Sequence, residues 1–126
     1  MPAATVRVLL ADDDPAFLES LRRLIDEQPL LGVAGMASNG LQALELADLE
    51  EPDAVVIDLH MPLLDGVTAV ARLRRDHPNL CVIVLTGDRE RRLHQAAKEA
   101  GADAVFLKED FVESLMDRLR SVKRSN

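Results

Sequence analysis

An α/β fold built on a parallel sheet is predicted by three features of the sequence. Short apolar runs alternate with longer amphipathic segments along its whole length, the pattern of repeated βα units. The runs are nearly continuous in Val, Ile, Leu and Ala, as in strands covered on both faces. Helix-start and helix-stop residues stand at the joints between the two kinds of segment.

The first strand is expected over 5–11, where Val6-Arg7-Val8-Leu9-Leu10-Ala11 leads into Asp12-Asp13. Asp14-Pro15 reads as an N-cap followed by proline at the first helical position, where the missing N–H costs nothing. The helix over 15–28 carries Phe17, Leu18, Leu21, Leu24 and Ile25 on one face, a core stripe. A strand over 33–37 precedes a helix over 40–50, opened by Asn39 with Gln42 at capping-box spacing. Ala54-Val55-Val56-Ile57 leads into Asp58 in a strand over 54–58, followed by a helix over 65–77. Cys81-Val82-Ile83-Val84-Leu85 leads into Thr86 in a strand over 81–86. The next helix, 89–100, ends where Gly101 suits a left-handed C-cap. Ala104-Val105-Phe106-Leu107 leads into Lys108 in a strand over 104–108. The last helix, 111–123, has Asp110 and Glu113 at capping-box spacing and a core stripe of Phe111, Leu115, Met116, Leu119 and Val122. The polar tail 123–126 is expected to fray.

Composition narrows the function. With 126 residues, 48% of them hydrophobic, the chain suits one domain with one real core. A net charge of −7 disfavours direct binding of nucleic acid. A single cysteine rules out an internal disulfide framework and fits a reducing compartment. Met1-Pro2-Ala3-Ala4-Thr5 does not read as a secretory signal, and no apolar run approaches the ~20 residues of a membrane span. A cytoplasmic protein is expected.

Five polar residues stand at the ends of the apolar runs: Asp12, Asp13, Asp58, Thr86 and Lys108. Parallel strands bring all five to one sheet edge, outside the strand C-termini, where open α/β sheets bind ligands. An aspartate before a helix is often only a cap. Asp14 fills that role best, however, which leaves Asp12 and Asp13 over. A carboxylate ending a doubly buried strand, as Asp58 does, is costly unless paired or bound to metal. Three carboxylates, a hydroxyl and an ammonium in one crevice suggest a divalent cation, an aspartyl nucleophile and a phosphoryl group.

Four segments extend the pattern: Leu10-Ala11-Asp12-Asp13-Asp14-Pro15, Val56-Ile57-Asp58-Leu59-His60-Met61-Pro62-Leu63-Leu64-Asp65-Gly66, Val84-Leu85-Thr86-Gly87 and Phe106-Leu107-Lys108-Glu109. In order and spacing they resemble the receiver domain of two-component response regulators, over essentially residues 1–126. Ser38-Asn39-Gly40, and an acidic residue rather than proline after Lys108, resemble the receivers of the subfamily with helix-turn-helix output domains. The resemblance implies a flavodoxin-like fold, five parallel strands in order 2-1-3-4-5 with helices on both faces. It implies that Asp58 accepts a phosphoryl group from a histidine kinase or phosphotransfer protein. Mg²⁺, or Mn²⁺ in its place, would be held by Asp13, Asp58 and the backbone carbonyl of His60, with Asp12 acting through metal-bound water. Thr86 and Lys108 would bind the phosphoryl group. His60 and Asp88 would line the site mouth and tune loss of that group.

The chain would then be a switch and not a turnover enzyme. It would control an output domain or a downstream protein, with dimerisation on phosphorylation, no membrane association and no nucleic acid bound by this domain. Both a single-domain regulator and part of a longer transcription factor fit. Two rivals are a receiver-like interaction module without phosphorylation and a metal-dependent phosphohydrolase. The intact set of five opposes the first. The second expects an acid two residues after the nucleophile, where His60 stands.

In the family an aromatic ring usually lies three residues before the lysine. Here Val105 holds that position, and alternation along the strand turns the neighbouring Phe106 to the other face. Leu93 on the preceding helix could take the ring's place. The Lys108–Glu109 bond is expected to be trans, since a cis bond before a residue other than proline is costly. His77 and His94 read as surface residues, Cys81 as a small core hydrophobe, and Arg72, Arg74, Arg75, Arg89, Arg91 and Arg92 as solvated helix faces.

Overall fold

The computed structural model describes residues 5–122. Five strands alternate with five helices: β1 (Val6–Ala11), α1 (Pro15–Asp26), β2 (Leu31–Ala37), α2 (Gly40–Glu50), β3 (Ala54–Ile57), α3 (Gly66–Asp76), β4 (Cys81–Thr86), α4 (Arg91–Ala100), β5 (Ala104–Leu107) and α5 (Val112–Arg120). The strands form one sheet in the order β2-β1-β3-β4-β5, every neighbouring pair parallel. The register of β1 against β2 shifts between Val8 and Leu9.

Side-chain alternation along the strands builds two cores. Leu9, Val55, Ile57, Val82 and Val84 face one side and pack with Ala43, Ala47, Ala69, Val70, Leu73 and Ala97 of α2, α3 and α4. Val8, Leu10, Val56, Ile83 and Leu85 face the other and pack with Leu18, Leu21 and Ile25 of α1 and Leu115, Met116 and Leu119 of α5. β1, β3 and β4 are thus covered on both faces, which is why their sequences lack a polar alternation. The expected stripes on α1 and α5 are the faces they bury.

The helix ends follow local chemistry in most places. Asp14 Oδ1 accepts from the amides of Ala16 and Phe17 at 3.0 and 3.3 Å, with Pro15 opening α1. Asn39 Oδ1 accepts from Gln42 N at 2.8 Å, while the Gln42 side chain reaches back to Ser38 N, one residue short of a full capping box. Asp65 caps α3 through Thr68 N and Thr68 Oγ1. Gly101 ends α4 with φ 121°, a conformation that favours glycine. No cis peptide occurs among the described residues, so Lys108–Glu109 is trans as expected.

Several expectations are corrected. Asp110 does not cap α5. Its amide closes a turn onto Leu107 O, the N-cap position falls on Phe111, and the helix begins at Val112 without a side-chain cap. Helix α4 begins at Arg91, not at 89. Asp88 Oδ1 takes the Glu90 amide at 2.8 Å, which holds 88–90 out of the helix. Strand β2 starts earlier, at Leu31, because Val6 N bonds to Leu30 O and draws that segment into the sheet. Helix α5 ends at Arg120, with Ser121 as its C-cap, short of the expected 123. The tail 123–126 lies outside the described residues.

Arg74 is not a solvated residue. Its guanidinium donates to the carbonyls of Gly101, Pro78 and Leu80 and to Asp103 Oδ2, tying α3 to the turn before β5. His77 is half-buried and pairs with Asp48 at 2.8 Å, joining α3 to α2. Cys81 is only partly buried, and burial pushes its thiol up from the ordinary value. Two acids not singled out in the sequence also brace the frame. Asp53 Oδ2 accepts from Arg7 N, and Asp103 Oδ2 from Val82 N, at the starts of β3 and β5.

Glycine 66 fixes the turn after β3. A Cβ there would lie 2.3 Å from Leu59 Cα and 2.5 Å from Asp58 O, backbone atoms that cannot step aside. Gly66→Ala should therefore lower stability in urea unfolding by about 2–3 kcal/mol. At Gly87 an added Cβ meets nothing within 4 Å, and Gly87→Ala should stay within about 0.5 kcal/mol of wild type. Equal midpoints for the two variants would contradict this account of the turn.

Candidate functional site

The backbone ladder runs one residue past the strands and sets the site. Asp12 N bonds to Ala37 O at 3.0 Å, Asp58 N to Ala11 O at 3.0 Å, and Lys108 N to Thr86 O at 2.9 Å. Each of these residues leaves the sheet at its C-terminal edge, so Asp12, Asp58, Thr86 and Lys108 are brought together. Asp12, Asp58 and Thr86 are buried, Lys108 is partly buried, and Asp13 is exposed beside them.

Ion pairing organises the centre. Lys108 Nζ lies 2.6 Å from Asp12 Oδ2 and 3.4 Å from Asp58 Oδ2. The first contact is a short charge-assisted bond and the second a weak one. Asp12 Oδ1 accepts from Asp14 N at 2.9 Å, and Asp58 Oδ1 accepts from Leu59 N at 2.8 Å. Burial pushes the Asp12 carboxyl up, and its bonds to Lys108 and the Asp14 amide offset that only in part. Burial also pushes the Lys108 ammonium down, but Asp12 and Asp58 outweigh it and hold the ammonium above its ordinary value. The lysine is a fixed cation.

Asp12, Asp13 and Asp58 each offer a carboxylate oxygen, all within 4.8 Å of one another. Hard oxygen donors at this spacing suit a divalent cation of the Mg²⁺ class. Asp13 makes no hydrogen bond or ion pair among the described residues, so its oxygens are the readiest to bind one.

Around this centre sits a second layer. Thr86 Oγ1 accepts from Asp88 N at 3.1 Å. Asp88 Oδ2 meets His60 Nε2 at 2.8 Å, so the two residues at the site mouth touch each other across the loops after β3 and β4. The Glu90 amide and then the His60 ring hold the Asp88 carboxyl below its ordinary value. His94, expected on the surface, is partly buried and donates from Nε2 to Asp88 O. Arg89 and Glu109 form an ion pair between the loops after β4 and β5. Val105 packs into the core under α4 with Leu93, while Phe106 packs on the opposite face, as alternation requires.

Phe17 was visible in the sequence only as part of the α1 stripe. Its ring faces Lys108, with Nζ 4.4 Å from the ring centroid. The site loop also carries Leu63 with φ 71°, an exposed leucine in the left-handed region. No sequence signal marks either feature.

The architecture and this site agree with what the chain is similar to. Residues 8–120 match the response regulator receiver domain family. The response regulator MprA of Mycobacterium ulcerans is 37% identical over 120 residues, 95% of this chain and 51% of that protein. The chain spans about half the length of the curated relatives it matches. The NarL signal receiver domain of Mycobacterium tuberculosis superposes with a TM-score of 0.86 at 29% identity, covering 94% of this chain and 98% of that one. A LuxR-family DNA-binding response regulator from Staphylococcus aureus superposes with a TM-score of 0.85 at 25% identity, over 92% and 99% of the two chains. No helix among the described residues is long and apolar enough to cross a membrane. Fold, sequence match and an acidic crevice at the sheet edge converge: the chain belongs to the response regulator receiver domain family, the signal-receiving unit of two-component systems.

Proposed function

We propose that Asp58 is the phosphoacceptor of this receiver, and that the whole chain, 1–126, is one receiver domain. The observation that carries the reading is the Lys108 ammonium, set between Asp12 and Asp58 at the end of a buried sheet. Asp58 Oδ1 is held by the Leu59 amide, which leaves Oδ2 facing Lys108 as the attacking atom. That oxygen forms a bond to phosphorus while the bond to the donor breaks, its electron pair leaving with the donor. Lys108 then pairs with a phosphoryl oxygen, moving its weight from Asp12 to the new charge. Thr86 Oγ1 accepts from the Asp88 amide, so its own proton is free to turn toward the phosphoryl group.

Asp13, Asp58 and the backbone carbonyl of His60 would hold Mg²⁺, or Mn²⁺ in its place, with Asp12 assisting from beside it. The ion supplies positive charge that offsets the charge developing on the transferred phosphoryl group. The carboxylate cluster supports such a site. The His60–Asp88 contact lies across the site mouth and restrains water reaching the acyl phosphate. Val105 leaves no aromatic ring to swing when Thr86 moves, so the change passed to α4 is small.

A histidine kinase or phosphotransfer protein is the donor, and an output domain or downstream protein reads the result, with dimerisation on phosphorylation. The chain spans about half the length of its MprA relatives, and both a single-domain regulator and part of a longer regulator fit this reading. The receiver itself binds no nucleic acid, acts in the cytoplasm and turns over no substrate beyond its own phosphoryl group.

Treatment with acetyl phosphate and Mg²⁺ should add one phosphoryl mass to the wild-type chain and none to Asp58→Asn. An equal gain in both, seen by intact mass spectrometry, would overturn the assignment. Asp13→Asn should weaken Mg²⁺ in calorimetric titration by at least about tenfold, the cost of one lost charged ligand. Wild-type affinity in that variant would contradict the metal site.

Asp12→Asn should raise the metal-free Tm at pH 7. The folded chain holds the Asp12 carboxyl above its unfolded value, so its charge costs stability above the folded pKa. Below the unfolded value, near ~4, that cost is gone, and the gain from Asp12→Asn should vanish as pH falls. A gain that persists at low pH, or no gain at neutral pH, would contradict the burial argument.

A further inference from the structure

Two of the three phenylalanines in the chain meet beside the site lysine. Phe17 sits in the first turn of α1, five residues after Asp12, and Phe111 immediately precedes α5. The Lys108 ammonium lies 4.4 Å from the Phe17 ring centroid. The Phe111 ring packs edge to face on Phe17, with centroids 5.8 Å apart and planes at 60°. Both rings also pack on the outer margin of the α1–α5 core, and that packing would be met by any apolar side chain of similar size. It does not account for a cation centred over a ring face.

A lysine head has three freely rotating donors on a flexible stem, and acceptor carboxylates alone do not fix where it rests. A ring face within about 6 Å attracts an ammonium through the ring quadrupole, the more so where water is scarce. Here the lysine side chain is 23% exposed, and its Nζ has Asp12 and Asp58 on one side and the Phe17 ring on another. The three contacts together define one position for the charge.

We propose that Phe17 is a positioning residue for Lys108. Its ring holds the ammonium between Asp12 and Asp58, and Phe111 in turn fixes the ring. The consequence for the reaction rests on the reading of Asp58 as phosphoacceptor. The placement of the lysine does not.

Two variants and two measurements on the full chain test the proposal. Phe17→Leu keeps the apolar bulk and removes the ring, whereas Phe17→Tyr keeps the ring face. In the wild-type chain without metal or phosphodonor, NMR should show the ε-methylene protons of Lys108 shifted upfield by the ring. Phe17→Leu should lose that shift and accept phosphoryl from acetyl phosphate and Mg²⁺ about fivefold more slowly, with Mg²⁺ affinity unchanged. Phe17→Tyr should restore both shift and rate. A wild-type Lys108 without the upfield shift would overturn the proposal, as would a wild-type rate in Phe17→Leu. Phe17→Tyr as slow as Phe17→Leu would assign the residue to packing alone and overturn it equally. A wild-type chain that gains no mass would overturn the phosphoacceptor reading instead, and the NMR shift would still decide whether the ring holds the ammonium.

Discussion

The contact between Lys108 and the carboxylates of Asp12 and Asp58 sets the terms for everything around it. Two acids buried at the end of a hydrophobic sheet repel each other and are expensive to keep charged. One ammonium offsets part of that cost and leaves a net negative crevice with the exposed Asp13 at its lip. The balance suits the cation and the phosphoryl group proposed for this site. A fully neutralised cluster would have less reason to bind either.

Holding three like-charged groups within 4.8 Å requires a frame that does not yield. The parallel ladder provides it, because Asp12, Asp58 and Lys108 are each hydrogen-bonded to the neighbouring strand through their own or the adjoining backbone. The covering helices close over both faces, and Asp53, Asp103 and Arg74 brace the opposite end of the sheet. The loops at the site edge are tied differently, by side chains: His60 to Asp88, Asp88 to Glu90, and His94 to the Asp88 carbonyl. The strands place the charges, and side-chain bonds hold the loops at the site mouth.

The strands, and the gathering of Asp12, Asp13, Asp58, Thr86 and Lys108 at one sheet edge, were legible in the sequence because they depend on local patterns, whereas the strand order came from the resemblance to receiver domains. Buried parallel strands must be apolar throughout, and a polar residue at their ends stands out against that background. Caps formed by Asp14 and Asn39 act within three residues and follow the same logic. Asp110 misled because spacing alone cannot tell whether a turn, here closed onto Leu107, will intervene before the helix. Arg74, His77 and His94 were read as surface residues because their partners lie on other elements: Gly101 and Asp103 for the arginine, Asp48 for one histidine, the Asp88 carbonyl for the other. The ring of Phe17 under Lys108 is likewise a contact between elements 91 positions apart, hidden inside an ordinary core stripe.

A crystal structure of the chain with Mg²⁺ and beryllofluoride, a phosphoryl mimic, tests the central claim most directly. The account predicts beryllium bonded to Asp58 Oδ2, the cation among Asp12, Asp13 and Asp58, and the Lys108 ammonium on a fluorine of the mimic. An adduct on another carboxylate, or a Lys108 that stays on Asp12 without touching the mimic, would contradict it.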